Sequence, residues 1–267
     1  MDIVYMLTFV FSFILGTIVG SFLNVVILRY NTGRTILNRS GCFSCGKTLR
    51  PQELFPIISF LVSRGRCVSC GSRISLQYPI VELISGLLFT CIAYKFMLAG
   101  ASIFPLSIVS ASLYATAFSI FLTITVYDLR HTIIPNAFVY AFIGISILLF
   151  LIRSAGAETF IAKDSFFWGA FVGPLFALTF ASFWYLSGGK LMGLGDAKIA
   201  LGMGFLLGVG KMVSAVLIAF WGGALVGIGL LLLRSRYFTM KSEIPFAPFL
   251  FIGTILAFLL DVNVTFF

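Results

Sequence analysis

Long apolar stretches separated by shorter polar breaks make up most of this chain. A helix needs about 20 apolar residues to cross the hydrocarbon of a bilayer, because it rises about 1.5 Å per residue through a layer about 30 Å thick. The pattern predicts an all-α polytopic membrane protein with about eight transmembrane helices. The candidate stretches are residues 3–28, 80–98, 104–126, 135–152, 166–186, 197–210, 212–233 and 246–262.

Two features of the pattern refine this prediction. The stretch 197–210 is short and rich in glycine, so two alternatives stay open: a tilted or partly re-entrant helix among eight spans, or seven spans in all. The longest polar break covers residues 29–79. We therefore expect three parts: a first transmembrane helix at 1–28, a small cytoplasmic domain at 29–79, and a membrane-embedded domain at 80–267.

The composition supports a membrane protein and excludes other classes. Hydrophobic residues make up 60% of the chain and charged residues 10%, and the mean hydropathy is +1.10. A soluble globular protein has roughly 45–50% apolar and about 25% charged residues. A soluble single-core enzyme, a disordered chain and a secreted disulfide scaffold are therefore excluded, because each needs more polar surface.

The distribution of charge predicts the orientation in the membrane. Cytoplasmic loops retain Lys and Arg, and the segments 29–79, 127–134, 187–198 and 234–244 hold most of the 18 such residues. We therefore expect these segments inside and both termini outside. The net charge of +9 then reflects topology and attraction to anionic membrane lipid, and no nucleic acid partner is expected. The remaining loops hold only Lys95, Arg153, Lys163 and Lys211.

Four of the five cysteines form two CxxC pairs in the segment 29–79. Two such pairs suit tetrahedral zinc, because each pair places two thiolates on one side of the ion. The alternatives are disulfides, which a reducing cytosol disfavours, and a hairpin without metal. We predict a structural Zn²⁺ site whose ligands are Cys42, Cys45, Cys67 and Cys70.

Two aspartates stand at the predicted cytoplasmic boundary, where a carboxylate is costly without a reason. Asp196 alone could cap a helix that begins at Ala197, and Asp128 alone could pair with Arg130 or extend to the lipid headgroups. Together they can do more. Two carboxylates close together in a low-dielectric site share one proton, so one removes a proton from water while the other polarises a peptide carbonyl.

Aspartic proteolysis is thus the chemistry that this pair favours. It needs neither a covalent intermediate nor a catalytic metal, which suits a chain whose single histidine is His131. We expect His131 to order its turn rather than to catalyse.

An ordered set of motifs resembles the type IV prepilin peptidases, a family of membrane aspartic peptidases with a Gly-x-Gly-Asp motif. The resemblance covers nearly the whole chain, and although a lone GxGD motif is a weak signal, the ordered set is strong. Ala247 stands where the family often has glycine, and Phe55 where a polar residue commonly precedes proline; neither is expected to touch the aspartates. The motifs are 20–26 (GSFLNVV), the two CxxC pairs, 56–59 (PIIS), 64–67 (RGRC), 78–83 (YPIVEL), 128–136 (DLRHTIIPN), 193–196 (GLGD) and 244–249 (IPFAPF).

The resemblance implies an enzyme that removes the leader peptide of type IV prepilins or pseudopilins, at the cytoplasmic face of a bacterial inner membrane. By matching position, Asp128 and Asp196 are its catalytic pair, 80–267 is the peptidase domain, and 29–79 is the zinc-binding domain. Members with the cysteine-bearing domain also methylate the new N-terminal amine with S-adenosylmethionine. Glu82 is the candidate methyl-transfer residue, and the alternative is a carboxylate that only stabilises the first turn of its helix.

Two other functions remain open at this point. One is a peptidase of the same chemistry that has no methyltransferase activity. The other is a cation or proton transporter with a zinc-binding cytoplasmic domain, because carboxylates within membranes also mark ion pathways. The transporter is less favoured, since both aspartates are predicted at one boundary rather than at the bilayer midplane.

Overall fold

A computed structural model of the protein describes residues 3–98, 105–155, 162–190, 192–232 and 245–262, most of which are helical. No strand is formed within these ranges, apart from isolated bridges. The segment 234–244, which is predicted to be a basic cytoplasmic loop, lies outside these ranges. The helices are α1 Ile3–Arg29, α2 Ile58–Val62, α3 Gln77–Leu98, α4 Pro105–His131, α5 Asn136–Ala155, α6 Ala162–Ser187, α7 Leu194–Leu207, α8 Val209–Leu232 and α9 Ala247–Leu259.

Six helices of the described ranges are long and apolar enough to cross a membrane: α1, α3, α4, α5, α6 and α8. The prediction of an all-α polytopic membrane protein is confirmed. The two remaining apolar stretches of the sequence form the short helices α7, with 14 residues, and α9, with 13. At 1.5 Å per residue each spans about 20 Å, which is less than the hydrocarbon thickness of about 30 Å.

The chain folds as two compact units, residues 1–123 and 124–267. In the first unit, α1 packs closely on α3 through small residues. A Cβ atom added at Gly16 would lie 2.6 Å from the carbonyl oxygen of Ser85, and one at Gly20 would lie 2.8 Å from the Cα atom of Glu82. Small residues bring the two backbones into direct contact, as in other membrane helix pairs.

Polar contacts join the end of α1 to the start of α3. The fully buried Asn24 donates from Nδ2 to the carbonyl of Tyr78 at 3.2 Å and accepts from Gln77 Nε2 at 3.3 Å. The helices are joined by residues 30–76, which hold a 3₁₀ turn at Pro51–Leu54, the short α2 and two antiparallel bridges, Gly41 with Thr48 and Arg66 with Arg73.

In the second unit, α7 is the central helix and packs between α5 and α6, while α8 packs on α9. The α7 side chains Ile199, Met203 and Leu206 are fully buried. Lys198 Nζ donates to Asn136 Oδ1 at 2.7 Å and thereby ties the start of α7 to the start of α5. The domain boundaries predicted at 28/29 and 79/80 stay a prediction.

The close approach of α1 and α3 gives the first testable prediction. Gly16→Leu forces the two backbones apart, so we expect a loss of about 1–3 kcal/mol of stability and a lower melting temperature in detergent. The control is Gly144→Leu on α5, where an added Cβ has no neighbour within 4 Å. Equal melting temperatures for the two variants would contradict this packing.

Candidate active site and metal centre

Asp128 and Asp196 are brought together in the second unit. Asp128 lies in the last turn of α4 and Asp196 in the first turn of α7, and both are buried, at 4% and 5% exposure. The two carboxyl groups are close enough to interact electrostatically. The fold thus brings together two residues that are 68 positions apart in the sequence, although nothing in the local sequence requires it.

Asp196 is not the N-cap of a helix that begins at Ala197. Helix α7 begins at Leu194 rather than Ala197, with Gly193 as its N-cap, so Asp196 is its third residue. The backbone N–H of Gly193 donates to the Asp196 carboxylate, which satisfies a donor that the helix itself leaves free. Asp196 therefore stabilises the helix start from inside the first turn, not from the N-cap position.

One carboxylate oxygen of Asp196 is free of hydrogen bonds to the described residues. Oδ1 is buried and has no hydrogen-bond partner among the described residues. A buried acceptor without a partner costs about 1–3 kcal/mol, so such atoms are uncommon in folded proteins. This oxygen is available to the second carboxyl group, to a water molecule or to a substrate carbonyl.

Asp128 is held by the start of another helix. Its carboxylate accepts the backbone N–H of Ala247, the first residue of α9. Neither simple alternative for Asp128 describes the structure: its burial excludes contact with the headgroups, and no described ion pair joins it to Arg130. The expectation that Ala247 does not touch the aspartates is wrong, but the contact comes from the backbone, which alanine supplies as well as glycine.

Both carboxylates therefore lie at helix N-termini, Asp196 at that of α7 and Asp128 at that of α9. The free N–H groups and the helix dipole make such an end favourable for negative charge. This arrangement suits a pair that carries one charge in an apolar environment.

Tight packing around the GLGD motif places α7. A Cβ atom added at Gly195 would lie 2.7 Å from Ile134 Cδ1, so glycine lets α7 approach the segment that follows α4. His131 at the end of α4 is exposed and lies against Tyr127, with ring centroids 4.4 Å apart. It contributes to this turn and not to the buried pair.

The four cysteines predicted as ligands form one cluster in the first unit. Their sulfur atoms all lie within 4.8 Å of one another, and the Sγ atoms of Cys42 and Cys70 are 3.8 Å apart. A tetrahedral ion bound at about 2.3 Å from each sulfur holds them about 3.8 Å apart, so the cluster fits zinc.

Both CxxC pairs have the same backbone turn. The N–H of Cys42 donates to the Lys47 carbonyl and the N–H of Gly46 to the Cys42 carbonyl, both at 2.9 Å. Gly46 and its counterpart Gly71 both have φ of +71°, a conformation that favours glycine. The second pair repeats the two bonds at 2.8 Å with Cys67, Gly71 and Ser72.

The thiols of the cluster differ in acidity. Backbone N–H groups, that of Cys45 foremost, lower the pKa of Cys42 to about 6, and the Ser72 hydroxyl lowers the pKa of Cys70. The Lys47 backbone favours the Cys45 thiolate, but desolvation and the adjacent thiols outweigh it and raise the pKa of Cys45 to about 11. Without a cation the cluster holds some thiolates and some thiols, and four thiolates together need a metal ion.

Glu82 does not lie in the first turn of its helix, where a carboxylate would only stabilise the helix N-terminus. Because α3 begins at Gln77, Glu82 is in the second turn, and it is buried. Its Oε2 accepts the backbone N–H of Ile57 at 2.7 Å, and the Ser21 side chain also bonds to it. Ile57 has φ of +59°, an outlier for a β-branched residue. Glu82 thus anchors a strained turn to α1 and α3, which the sequence did not indicate.

Comparison with known proteins supports the resemblance found in the motifs. Residues 14–96 match the family model described as the bacterial peptidase A24 N-terminal domain, and residues 115–228 match that of the type IV leader peptidase family. No solved structure matches.

Three relatives match over nearly their full length, and each is named prepilin leader peptidase/N-methyltransferase. The protein of Bacillus subtilis (strain 168) is 34% identical over 252 residues, which are 92% of either chain. That of Dickeya chrysanthemi is 30% identical and that of Pseudomonas aeruginosa 28%, over 93% and 95% of this chain and 91% of each relative. With two carboxylates paired at the GLGD motif and four cysteines clustered for a metal, this chain belongs to the type IV leader peptidase family.

Proposed function

We propose that this protein removes the leader peptide of type IV prepilins or pseudopilins and then methylates the new N-terminal amine. Membership of the family and the names of the relatives support both activities. The observation that carries the peptidase assignment is the buried pair Asp128 and Asp196, in which Asp196 Oδ1 has no hydrogen-bond partner among the described residues.

The proposed cleavage uses one ionised and one protonated carboxyl group. Asp128, which accepts the Ala247 N–H, acts as the base and takes a proton from water, whose oxygen bonds to the carbonyl carbon. Asp196 acts as the acid and gives its proton to the carbonyl oxygen. The C–N bond of the resulting gem-diol then breaks as Asp128 gives its proton to the departing amine and Asp196 takes one back from a hydroxyl group of the diol. The pair returns to its starting protonation state, and no covalent enzyme intermediate forms.

We propose the cytoplasmic face of a bacterial inner membrane as the location of cleavage. The proposal depends on the Lys and Arg residues of segments 29–79, 127–134 and 187–198, because cytoplasmic loops retain basic residues. The same residues attract anionic lipid.

Loss of either aspartate should abolish cleavage. Asp128→Asn and Asp196→Asn keep the shape of the side chain but remove the acid–base function, so we expect leader removal to fall by at least about 10²–10⁴-fold. The measurement is mass spectrometry of the N-terminus of a prepilin after incubation with protein in lipid. The control is Asp261→Asn, an exposed carboxylate paired with Lys211 after α9. Full cleavage by either dyad variant would contradict the assignment.

We propose that Cys42, Cys45, Cys67 and Cys70 hold a structural zinc ion. Bound there, zinc would neutralise the thiolates and join the two CxxC pairs, which together form the one cysteine cluster within the described ranges. The zinc ion would thereby hold the polar segment 29–79 together as one domain, and it would take no part in proteolysis.

Substitution of a ligand should separate the two activities. Cys42→Ser or Cys67→Ser should lower the zinc content from about one ion per chain, and impair methylation more than cleavage. Elemental analysis and mass spectrometry measure the two effects, with Cys91→Ser, a cysteine outside the cluster, as the control. If both activities fall equally, zinc supports the whole fold rather than the methyl-transfer step.

For methyl transfer we propose that the negative charge of Glu82 interacts with the positively charged sulfonium of the methyl donor. S-Adenosylmethionine would supply the methyl group from its sulfonium. Glu82 fits such a cation, since its buried carboxylate has no Lys or Arg partner among the described residues. Its bond to the Ile57 N–H also positions the adjacent turn.

Glu82→Gln distinguishes charge from positioning. Glutamine can still accept the Ile57 N–H, so the turn is kept while the negative charge is lost. We expect methylation of an already cleaved pilin to fall by about tenfold or more, with leader removal unchanged; this corresponds to a lost charge interaction of roughly 1.4 kcal/mol. Unchanged methylation would show that Glu82 acts only through Ile57, and Glu82→Ala then measures that structural role.

A further inference from the structure

The segment 29–79, which is predicted to be a cytoplasmic domain, contains ten consecutive residues without charge, 54–63 (LFPIISFLVS). We call these residues the apolar segment. An apolar stretch of about 10–14 residues is too short to cross a bilayer, and it is typical of a buried core helix or of a segment within the membrane interface. The structure excludes a buried core helix, because α2 lies in the apolar segment and has no buried residue.

Three large apolar side chains form one exposed face of α2. Ile58, Leu61 and Val62 follow helical spacing, so they share a face, and they are 62%, 67% and 80% exposed. The ring of Phe60 instead packs within the segment, since a Cβ atom added at Gly65 would lie 2.9 Å from it. Contact of the exposed face with water is unfavourable, so this face suits an apolar environment.

The apolar segment is attached to the α1–α3 pair well inside the end of α1. The N–H of Ile57 donates to Glu82, which also bonds to Ser21 of α1. Ser21 lies about 12 Å along the helix from Arg29, its last residue. Helix α1 is about 40 Å long, so when it is centred on a hydrocarbon layer of about 30 Å each end extends about 5 Å beyond the layer. Ser21 then lies about 7 Å inside the hydrocarbon, with the apolar segment beside it.

The spanning helices are themselves apolar and exposed at this depth. Phe22 and Leu83, which follow Ser21 and Glu82 in the sequence, are both exposed. Helices α1 and α3 are each long and apolar enough to cross a membrane. The exposed face of α2 is thus attached at a level where the neighbouring helices also present apolar side chains.

The backbone of the apolar segment is hydrogen-bonded within the protein. Irregular backbone is tolerated inside a membrane only where the protein or enclosed water satisfies its polar groups. The N–H groups of Ser59, Leu61 and Ser63 donate to carbonyls of the segment at 3.0–3.1 Å. The turn directs the N–H of Ile57 away from the segment, and Glu82 Oε2 accepts it at 2.7 Å. Glu82 thus replaces the water that would satisfy this donor in an exposed loop.

Basic residues stand on both sides of the apolar segment. Arg50 precedes it, Arg64 and Arg66 follow it, and all three are exposed. The adjacent acidic residue, Glu53, accepts the backbone N–H of Arg50 at 2.7 Å. Lipid phosphate groups lie just outside the hydrocarbon and attract basic side chains. An apolar face flanked by arginines therefore matches a phospholipid surface in both of its layers.

We propose that the apolar segment enters the membrane beside α1 and α3, in the leaflet near Arg29, with Ile58, Leu61 and Val62 in contact with phospholipid acyl chains. The segment 29–79 is then anchored in the bilayer at its middle and not only through its two ends. The proposal goes beyond the proposed function and does not depend on it, because it requires neither cleavage nor methylation.

The test compares Leu61→Trp with Leu37→Trp in the full-length protein, in vesicles of phosphatidylcholine and phosphatidylglycerol. Leu37 is a matched control, because it is also exposed but lies in a loop whose carbonyls at Thr35 and Asn38 accept the Arg29 side chain, at the end of α1. Lipids with bromine on their acyl chains quench tryptophan from the hydrocarbon, and iodide in the buffer quenches it from the water. The signal of the unaltered protein, which has three tryptophans, is subtracted.

We expect brominated lipid to lower the added fluorescence of Leu61→Trp to about half or less, and iodide to have little effect on it, because the side chain lies within the hydrocarbon layer. Leu37→Trp should show the reverse. If iodide quenches both variants and brominated lipid neither, the apolar segment lies in water and the proposal is wrong. Quenching of Leu61→Trp by neither agent means that protein covers the face, which also overturns it. If Leu61→Trp does not fold, Val62→Trp on the same face replaces it, with the same expected results.

Discussion

The second unit is organised by the need to keep two carboxyl groups together in an apolar environment. A charge in the membrane costs at most about 2.5–3.5 kcal/mol on insertion scales, a value that applies to the bilayer centre and falls toward the boundary, and two adjacent negative charges cost more than one. Asp128 and Asp196 meet this constraint in the same way, because each carboxylate accepts a backbone N–H at the start of a helix. A helix N-terminus stabilises one negative charge, and a shared proton removes the need for a second.

This constraint explains why α7 and α9 are short. Helix α7 begins after Gly193 and ends at Gly208, whose φ of +77° stops it, and α9 begins beside Pro248. Phe246 faces Gly223, more than two turns before α8 ends at Leu232, so the start of α9 is set back by about 13 Å from that end. Short helices thus place polar helix ends inside the span of the longer ones, where irregular backbone is tolerated only next to protein or water.

The sequence was sufficient where function depends on residue type and spacing. The apolar stretches predicted the helices, and the two CxxC pairs predicted a cluster that the fold does form, because each pair is a local turn. It was insufficient where a backbone group is the partner. The bonds from Ile57 to Glu82 and from Ala247 to Asp128 join distant segments through N–H groups that every residue except proline carries. No pattern of side chains can reveal these bonds. The start of α7 was predicted at Ala197 rather than Leu194 for the same reason, because the partner of Asp196 is the backbone N–H of Gly193.

The order of the two proposed reactions follows from the nitrogen atom itself. A peptide nitrogen is delocalised into its carbonyl and does not accept a methyl group, whereas a free α-amine has a pKa of about 7.7–8.0 and is partly neutral at physiological pH. Cleavage must therefore precede methylation. Because cleavage creates the acceptor, the two sites can lie in separate compact units and still act in sequence, and a defect in the cysteine cluster need not slow the first step.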